Sequence, residues 1–189
     1  WIVKLWPSSQ REAEAVIREL RAEGLRRIAL VTTEQDAMLA RENALQKLFD
    51  DSLQVVFAEH MMQGADIELL APRLVRSNPE AVIMNLMPGE YARLAKRLRN
   101  LKWKGALLSN ALVAEPAEVE LAEGALRGTR YPGPKLREEF VADFQKHSGH
   151  EPGVAVAEGF AAAQLIAAGA VDFGRAMGGL VRMLTGRRR

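Results

Sequence analysis

The chain has 189 residues, one domain's length and a little more, enough to bury a core without disulfides or metals. Lys and Arg (26) nearly balance Asp and Glu (24), and a net charge of +2 sets up no strong field toward nucleic acid or an anionic membrane. Apolar residues at 48% and charged residues at 26% exclude disorder, while the absence of cysteine excludes a disulfide framework, a thiolate metal site and a cysteine nucleophile.

Residues 8–23 read as a helix. Ser8 or Ser9 offers an N-cap, Glu12 sits three after Ser9 to complete a capping box, and Gly24 ends the segment. Ala13, Ala15, Val16, Ile17, Leu20 and Ala22 form its apolar face. Residues 27–31 then form a short apolar run, the signature of a buried parallel strand. The alternation continues: helix 36–49, strand 54–58, helix 66–76, strand 81–84, helix 89–100 and strand 106–108. Asn78-Pro79 punctuates the third unit. A weaker helix near 116–123 and a strand near 125–131 close the series.

Strands alternating with helices of this length predict βαβ crossovers and a doubly wound parallel sheet with helices on both faces. The reading gives an α/β lobe over residues 1–133 and a different character over 134–189. After Pro132-Gly133-Pro134, residues 135–147 are an amphipathic helix with Phe140 and Phe144 one turn apart, and 149–153 are a turn. Residues 155–170 are a nearly uncharged helix that expects burial on several sides, so self-association through 135–170 is anticipated. No run is long and apolar enough to span a bilayer. The start at Trp1, without Met or leader, is the form of a processed piece of a longer chain.

In an open parallel sheet, ligands bind beyond the carboxyl ends of the strands. The loops there are 32–36, 85–89 and 109–112, which carry Thr32, Thr33, Asn85, Ser109 and Asn110. Hydroxyls and amides suit a polar or zwitterionic solute, and none of them moves a proton at neutral pH. The same residue types also cap helices. His60 stands apart from His147 and His150, and the latter pair beside Glu151 reads as a helix stop before it reads as a metal site. Met61, Met62, Met84 and Met87 are placed as core, and Trp6 and Trp103 as packing residues. The basic residues from Arg93 to Lys104 are a solvated helix face. No glycine-rich dinucleotide loop, P-loop or nucleophile elbow follows any strand, so no cofactor and no catalytic residue is expected.

The segment order resembles the type I periplasmic solute-binding proteins, the branched-chain amino-acid receptors of ABC importers. The likeness rests on Trp6-Pro-Ser-Ser-Gln-Arg-Glu-Ala-Glu-Ala, Arg26-Arg-Ile-Ala-Leu-Val-Thr-Thr, Gly64-Ala-Asp-Ile-Glu and Asn78-Pro-Glu-Ala-Val-Ile. It is best at the end: Phe140, Phe144, Gly149 and Pro152, followed by Glu158-Gly-Phe-Ala-Ala-Ala-Gln-Leu-Ile. The resemblance implies the second Rossmann-like lobe plus the two return helices, which in the family pack on a first lobe. It implies a small ligand such as an amino acid, an ABC permease as partner, and a periplasmic or cell-surface location. Ligand contacts of the second lobe would fall near Asn85, Leu86, Ser109 and Asn110. One departure stands out: where the family places an aromatic-Gly pair on the ligand, this chain has Ala37-Met38.

Residues 82–89 also resemble the phospho-accepting strand and Met-Pro loop of response-regulator receiver domains. Asn85 would replace the nucleophilic Asp, and Thr32-Thr33 the acidic pair that holds Mg²⁺. That resemblance implies at most a degenerate receiver serving as a docking module.

Overall fold

The computed structural model describes residues 8–133, 136, 138–152, 156, 159–164 and 166–167. Four strands and five α-helices alternate in one compact unit, Pro7–Gly133, and residues from 134 onward lie outside it. The elements are α1 (Ser9–Ala22), β1 (Arg27–Thr33), α2 (Asp36–Gln46), β2 (Gln54–Met61), α3 (Ile67–Arg76), β3 (Ala81–Asn85), α4 (Glu90–Asn100), β4 (Ala106–Ser109) and α5 (Pro116–Leu121). A 3-10 turn, Ala111–Ala114, leads into α5.

All strand pairs are parallel, in the order β2-β1-β3-β4. Alternation along β1 sends Ile28 and Leu30 to one face and Ala29 and Val31 to the other. On the first face, α1 packs Ala13, Val16, Ile17 and Leu20, and α2 packs Ala44 and Leu45. On the second, α3 contributes Leu70 and Leu74, and α4 contributes Tyr91, Leu94 and Leu98. Burying each large apolar side chain of this kind contributes about 1.5–3 kcal/mol. Both faces being covered explains why the strand sequences are continuous apolar runs and not alternating ones.

Four sequence expectations are corrected. The N-cap of α1 is Ser8, whose hydroxyl accepts from the Arg11 N–H at 3.3 Å; Glu12 makes no capping box with Ser9 and instead holds Arg41 of α2. Strands β1 and β2 run further than read, to Thr33 and Met61, so His60 lies inside a strand. Helix α2 ends at Gln46, short of residue 49. The strand near 125–131 is absent: residues 122–129 close three successive turns, with Glu123, Gly124 and Gly128 at positive φ. Only Arg130 reaches the sheet, donating its N–H to Leu107 and accepting from Ser109. Ala122 and Leu126 are buried from turns, which produces an apolar spacing that mimics a strand.

Strand β2 is the exposed edge, and Arg73 of α3 covers part of it. Its guanidinium lies over Phe57 at 5.8 Å and bonds Glu59 at 3.0 and 3.2 Å. Such a charged strap discourages edge pairing with another chain. Beyond the sheet, α6 (Glu138–Ser148) has no buried residue, and Phe140 stacks on Phe144 and Phe160 at 6.1 and 5.0 Å. Residues 159–164 are helical. The rest of the predicted 155–170 helix, like Trp6 and the arginine tail, lies largely outside the described residues.

Candidate functional site

The carboxyl ends of β1, β3 and β4 bring Thr32, Thr33, Asn85, Leu86, Ser109 and Asn110 together, and all six are buried. Thr32 pairs in register with Asn85 on one side and His60 on the other. Strand alternation therefore turns Thr32 and Asn85 toward α1 and α2, and Thr33 toward α3 and α4.

On the α3–α4 face the polar groups are mutually satisfied. Thr33 donates its hydroxyl to Glu90 at 2.6 Å, and the same carboxylate accepts from the N–H groups of Gly64 (3.1 Å) and Met87 (3.0 Å). Glu118 accepts from Gly89 N–H and from Ala92 N–H, the latter at 3.0 Å. Glu118 thus satisfies two N–H groups at the start of α4, while Glu90, the first residue of the helix, ties the loops at Gly64 and Met87 and the end of β1 to it. Ser109 donates to the Met84 carbonyl at 3.0 Å, and Leu86 is a core residue whose carbonyl accepts from the Tyr91 phenol. Burial pushes the Tyr91 phenol well above its ordinary range, so it stays a neutral donor.

The α1–α2 face is different. Among the described residues, Thr32 Oγ1 and Asn85 Nδ2 are buried without a hydrogen-bond partner. Asn85 opens onto a crevice lined also by Ser9, Glu12, Arg41, Ser109 and Asn110, with room for about one water molecule. Arg41 closes its rim through a two-bond pair with Glu12, at 2.6 and 3.1 Å. Asn110 caps the 3-10 turn by accepting from Leu112 N–H at 2.9 Å and donates to Tyr91 Oη at 2.9 Å. Its amide nitrogen also meets the Met38 sulfur at 3.7 Å. In register with Thr32 on the other side, His60 Nε2 bonds the buried Glu42 carboxylate at 2.8 Å, and Gln46 donates to Glu42 at 2.7 Å.

Sequence reasoning placed the strand-end residues, noted Met38 only as a departure from the family and Glu12 only as a capping residue, and missed Arg41, Glu90 and Glu118. A signal existed for the charged ones: Glu12 and Arg41 interrupt helix faces otherwise apolar enough to be buried. For Met38 the signal was the missing aromatic.

A larger open groove, about 480 Å³, lies elsewhere, between α1 and residues 129–132. Arg18, Glu19 and Arg130 line it, and none of the six strand-end residues does. Of the methionines, Met61 and Met84 are core as expected, while Met62 is 73% exposed. Trp103 is buried and donates to the Pro79 carbonyl at 3.1 Å. Three basic side chains of α4 are engaged locally: Arg97 with Glu68, Lys96 with Glu123, and Arg99 over Trp103. Among the described residues no cluster of His, Asp and Glu could hold a metal ion, and no helix is long and apolar enough to cross a membrane.

No family model matches the sequence, and no curated protein matches it. Solved structures do match the fold. A leucine-binding protein from Thermotoga maritima is similar at TM-score 0.71 and 19% identity, over 84% of this chain and 48% of that one. A branched-chain amino acid ABC transporter protein from Rhodospirillum rubrum gives TM-score 0.68 and 19% identity, over 82% and 46%. A leucine-, isoleucine-, valine-, threonine- and alanine-binding protein from Brucella ovis, in its closed conformation, gives 0.69 and 16%, over 77% and 40%. The fold is therefore that of a Rossmann-like lobe of a type I periplasmic solute-binding protein. The chain spans about half the length of these structures.

Proposed function

We propose that this chain is the second lobe, with return helices, of the solute-binding component of an ABC-type importer or a related sensor. It acts outside the cytoplasm, closes with another lobe over a small polar solute such as an amino acid, and delivers that solute to a permease. It is a binding module and not an enzyme.

One observation carries the reading beyond fold. In a lobe of this architecture, Thr32 Oγ1 and Asn85 Nδ2 stand buried and, among the described residues, unpartnered at the strand ends, where such sheets take their ligands. Asn110 stands beside them as a further donor, while Thr33, Leu86 and Ser109 shape the floor from below. The solved structures with this fold include a leucine-binding protein and a leucine-, isoleucine-, valine-, threonine- and alanine-binding protein, which supports an amino-acid-sized solute. Hinge closure supplies the remaining contacts.

An NMR titration with pooled amino acids, then with pooled small carboxylates and amides, tests this. Saturable shifts confined to backbone amides of 32–36, 85–89 and 109–112 are expected. Shifts scattered over the surface, or none at millimolar solute, would remove this lobe from the binding site.

A further inference from the structure

The side chains around Asn85 hold more donors than good acceptors. Asn85 Nδ2 has no partner among the described residues. Asn110 Nδ2 gives one hydrogen to Tyr91 Oη and turns toward the Met38 sulfur at 3.7 Å. Arg41 Nη1 meets the same sulfur at 3.9 Å, its Nε and Nη2 being held by Glu12. A thioether is a weak acceptor, so two strong donors are turned on a poor partner and a third has none. The Glu12 carboxylate already balances the Arg41 charge, and Arg41 is only 14% exposed, so the group is a neutral, largely desolvated set of donors.

Met38 itself is buried near the start of α2, a helix whose N-cap residue, Gln35, makes no side-chain cap bond. Methionine is unbranched and swings among rotamers more easily than any aromatic or β-branched residue. Arg41 and Asn110, the two residues that meet its sulfur, also line the crevice at Asn85, which admits about one water, so a larger solute group needs the space the thioether fills.

Building on the solute-binding reading, we propose that Met38 is a removable plug and that the space it fills is a subsite for a carboxylate. The two carboxylate oxygens accept from Arg41 Nη1, Asn110 Nδ2 and Asn85 Nδ2, replacing one sulfur with two charged acceptors. The paired Glu12 keeps Arg41 in place while its outer nitrogen serves the solute. A carboxylate-bearing solute is thereby selected over an alcohol of the same shape, because the alcohol leaves buried donors unpaired.

The test follows the side-chain amide resonances of Asn85 and Asn110 in the whole 189-residue chain by ¹⁵N NMR, with sodium benzoate, benzyl alcohol and leucine as probes. Benzoate is expected to shift both resonances saturably and benzyl alcohol to leave them in place. Met38→Ala is expected to tighten benzoate about tenfold or more, whereas Met38→Leu, which keeps the plug's volume, does not. Equal shifts from benzyl alcohol would overturn the proposal, since they would report an apolar cavity. So would unmoved side-chain amides in the parent and in Met38→Leu at tens of millimolar benzoate, a result that stands even if Met38→Ala fails to fold. Leucine moving only backbone amides of the three loops would sink the subsite and leave the solute reading intact. Benzoate at the two side-chain amides with no response to any amino acid would support the subsite and count against the amino-acid reading.

Discussion

Glu80 shows how a single exposed carboxylate is tied into the fold. It accepts from the backbone N–H groups of Arg26 at 2.6 Å and Arg27 at 2.9 Å, at the point where β1 begins. Those two bonds hold its carboxyl below the usual range. A carboxylate depressed in the folded state adds stability above its unfolded value, near 4.5, and that stability drains away as pH falls through the folded value. Glu80→Gln is therefore expected to cost about 1 kcal/mol at neutral pH, less than the usual hydrogen bond to a charged group because the carboxylate is exposed. The gap from the parent in urea midpoint should close as pH drops below that of the free carboxyl. A gap that held constant into acid would refute the electrostatic account.

The strand-end residues show what a sequence can and cannot disclose at this scale. Periodicity located Thr32, Asn85 and Ser109 at the ends of strands, since a run of apolar residues broken by a polar one is visible without coordinates. What the periodicity could not show is which donors are spent. Thr33 reads like Thr32, yet the step of one residue sends it to the opposite face and onto Glu90, 57 positions away. Met38 and Asn110 lie 72 positions apart, and nothing local to either betrays the contact.

Among the elements, the stretch from β3 through α4 to β4 holds two backbone positions that pull stability in opposite directions. Lys102 follows α4 in the left-handed region at φ 59°, where a Cβ is crowded and glycine is not. Lys102→Gly is expected to raise stability by about 0.5–1 kcal/mol. Gly105 opens β4 against Trp103, and a Cβ there would stand 2.6 Å from the Glu80 carbonyl oxygen and run into the indole ring. Gly105→Ala is expected to cost about 1–3 kcal/mol. A pair of thermal melts decides both signs.

The alternation of strands and helices was readable because covered parallel strands are short apolar runs and their helices carry capping residues. The misread segment, 125–131, failed for a physical reason. Leu126 is buried from a turn, and its hydrophobic spacing says nothing of the positive φ at Glu123, Gly124 and Gly128 that folds the chain back. Element ends drifted for a related reason: β2 continues to Met61 through Glu59 and His60, polar residues that an edge strand tolerates and a buried one would not.

Taken whole, the chain breaks naturally after Gly133. Both faces of the sheet are packed by residues from within Pro7–Gly133, so that unit has its own core. A chain ending at Gly133 is expected to unfold cooperatively and to stay monomeric. The full chain, which keeps Phe160 and Ile166 exposed at 50% and 73%, is expected to self-associate. Circular dichroism with urea and light scattering on the two chains measure this. A truncated chain without a cooperative transition would show that residues 134–189 belong to the core, and a monomeric full chain would remove the association.

The paired carboxylates at α4 bear on chemistry that the lobe turns away. In many α/β proteins the N-terminal turn of a helix after a strand is where phosphate is gripped, because its N–H groups are free and its dipole is positive. Here the Glu118 carboxylate accepts from the Gly89 and Ala92 N–H groups at that helix end, and Glu90 accepts from the Met87 N–H in the loop before it. A nucleotide or sugar phosphate arriving at that loop would meet two negative charges where it needs a cradle. The same two side chains that hold the loops in place thus leave that helix end with fewer free N–H groups than a phosphate cradle needs.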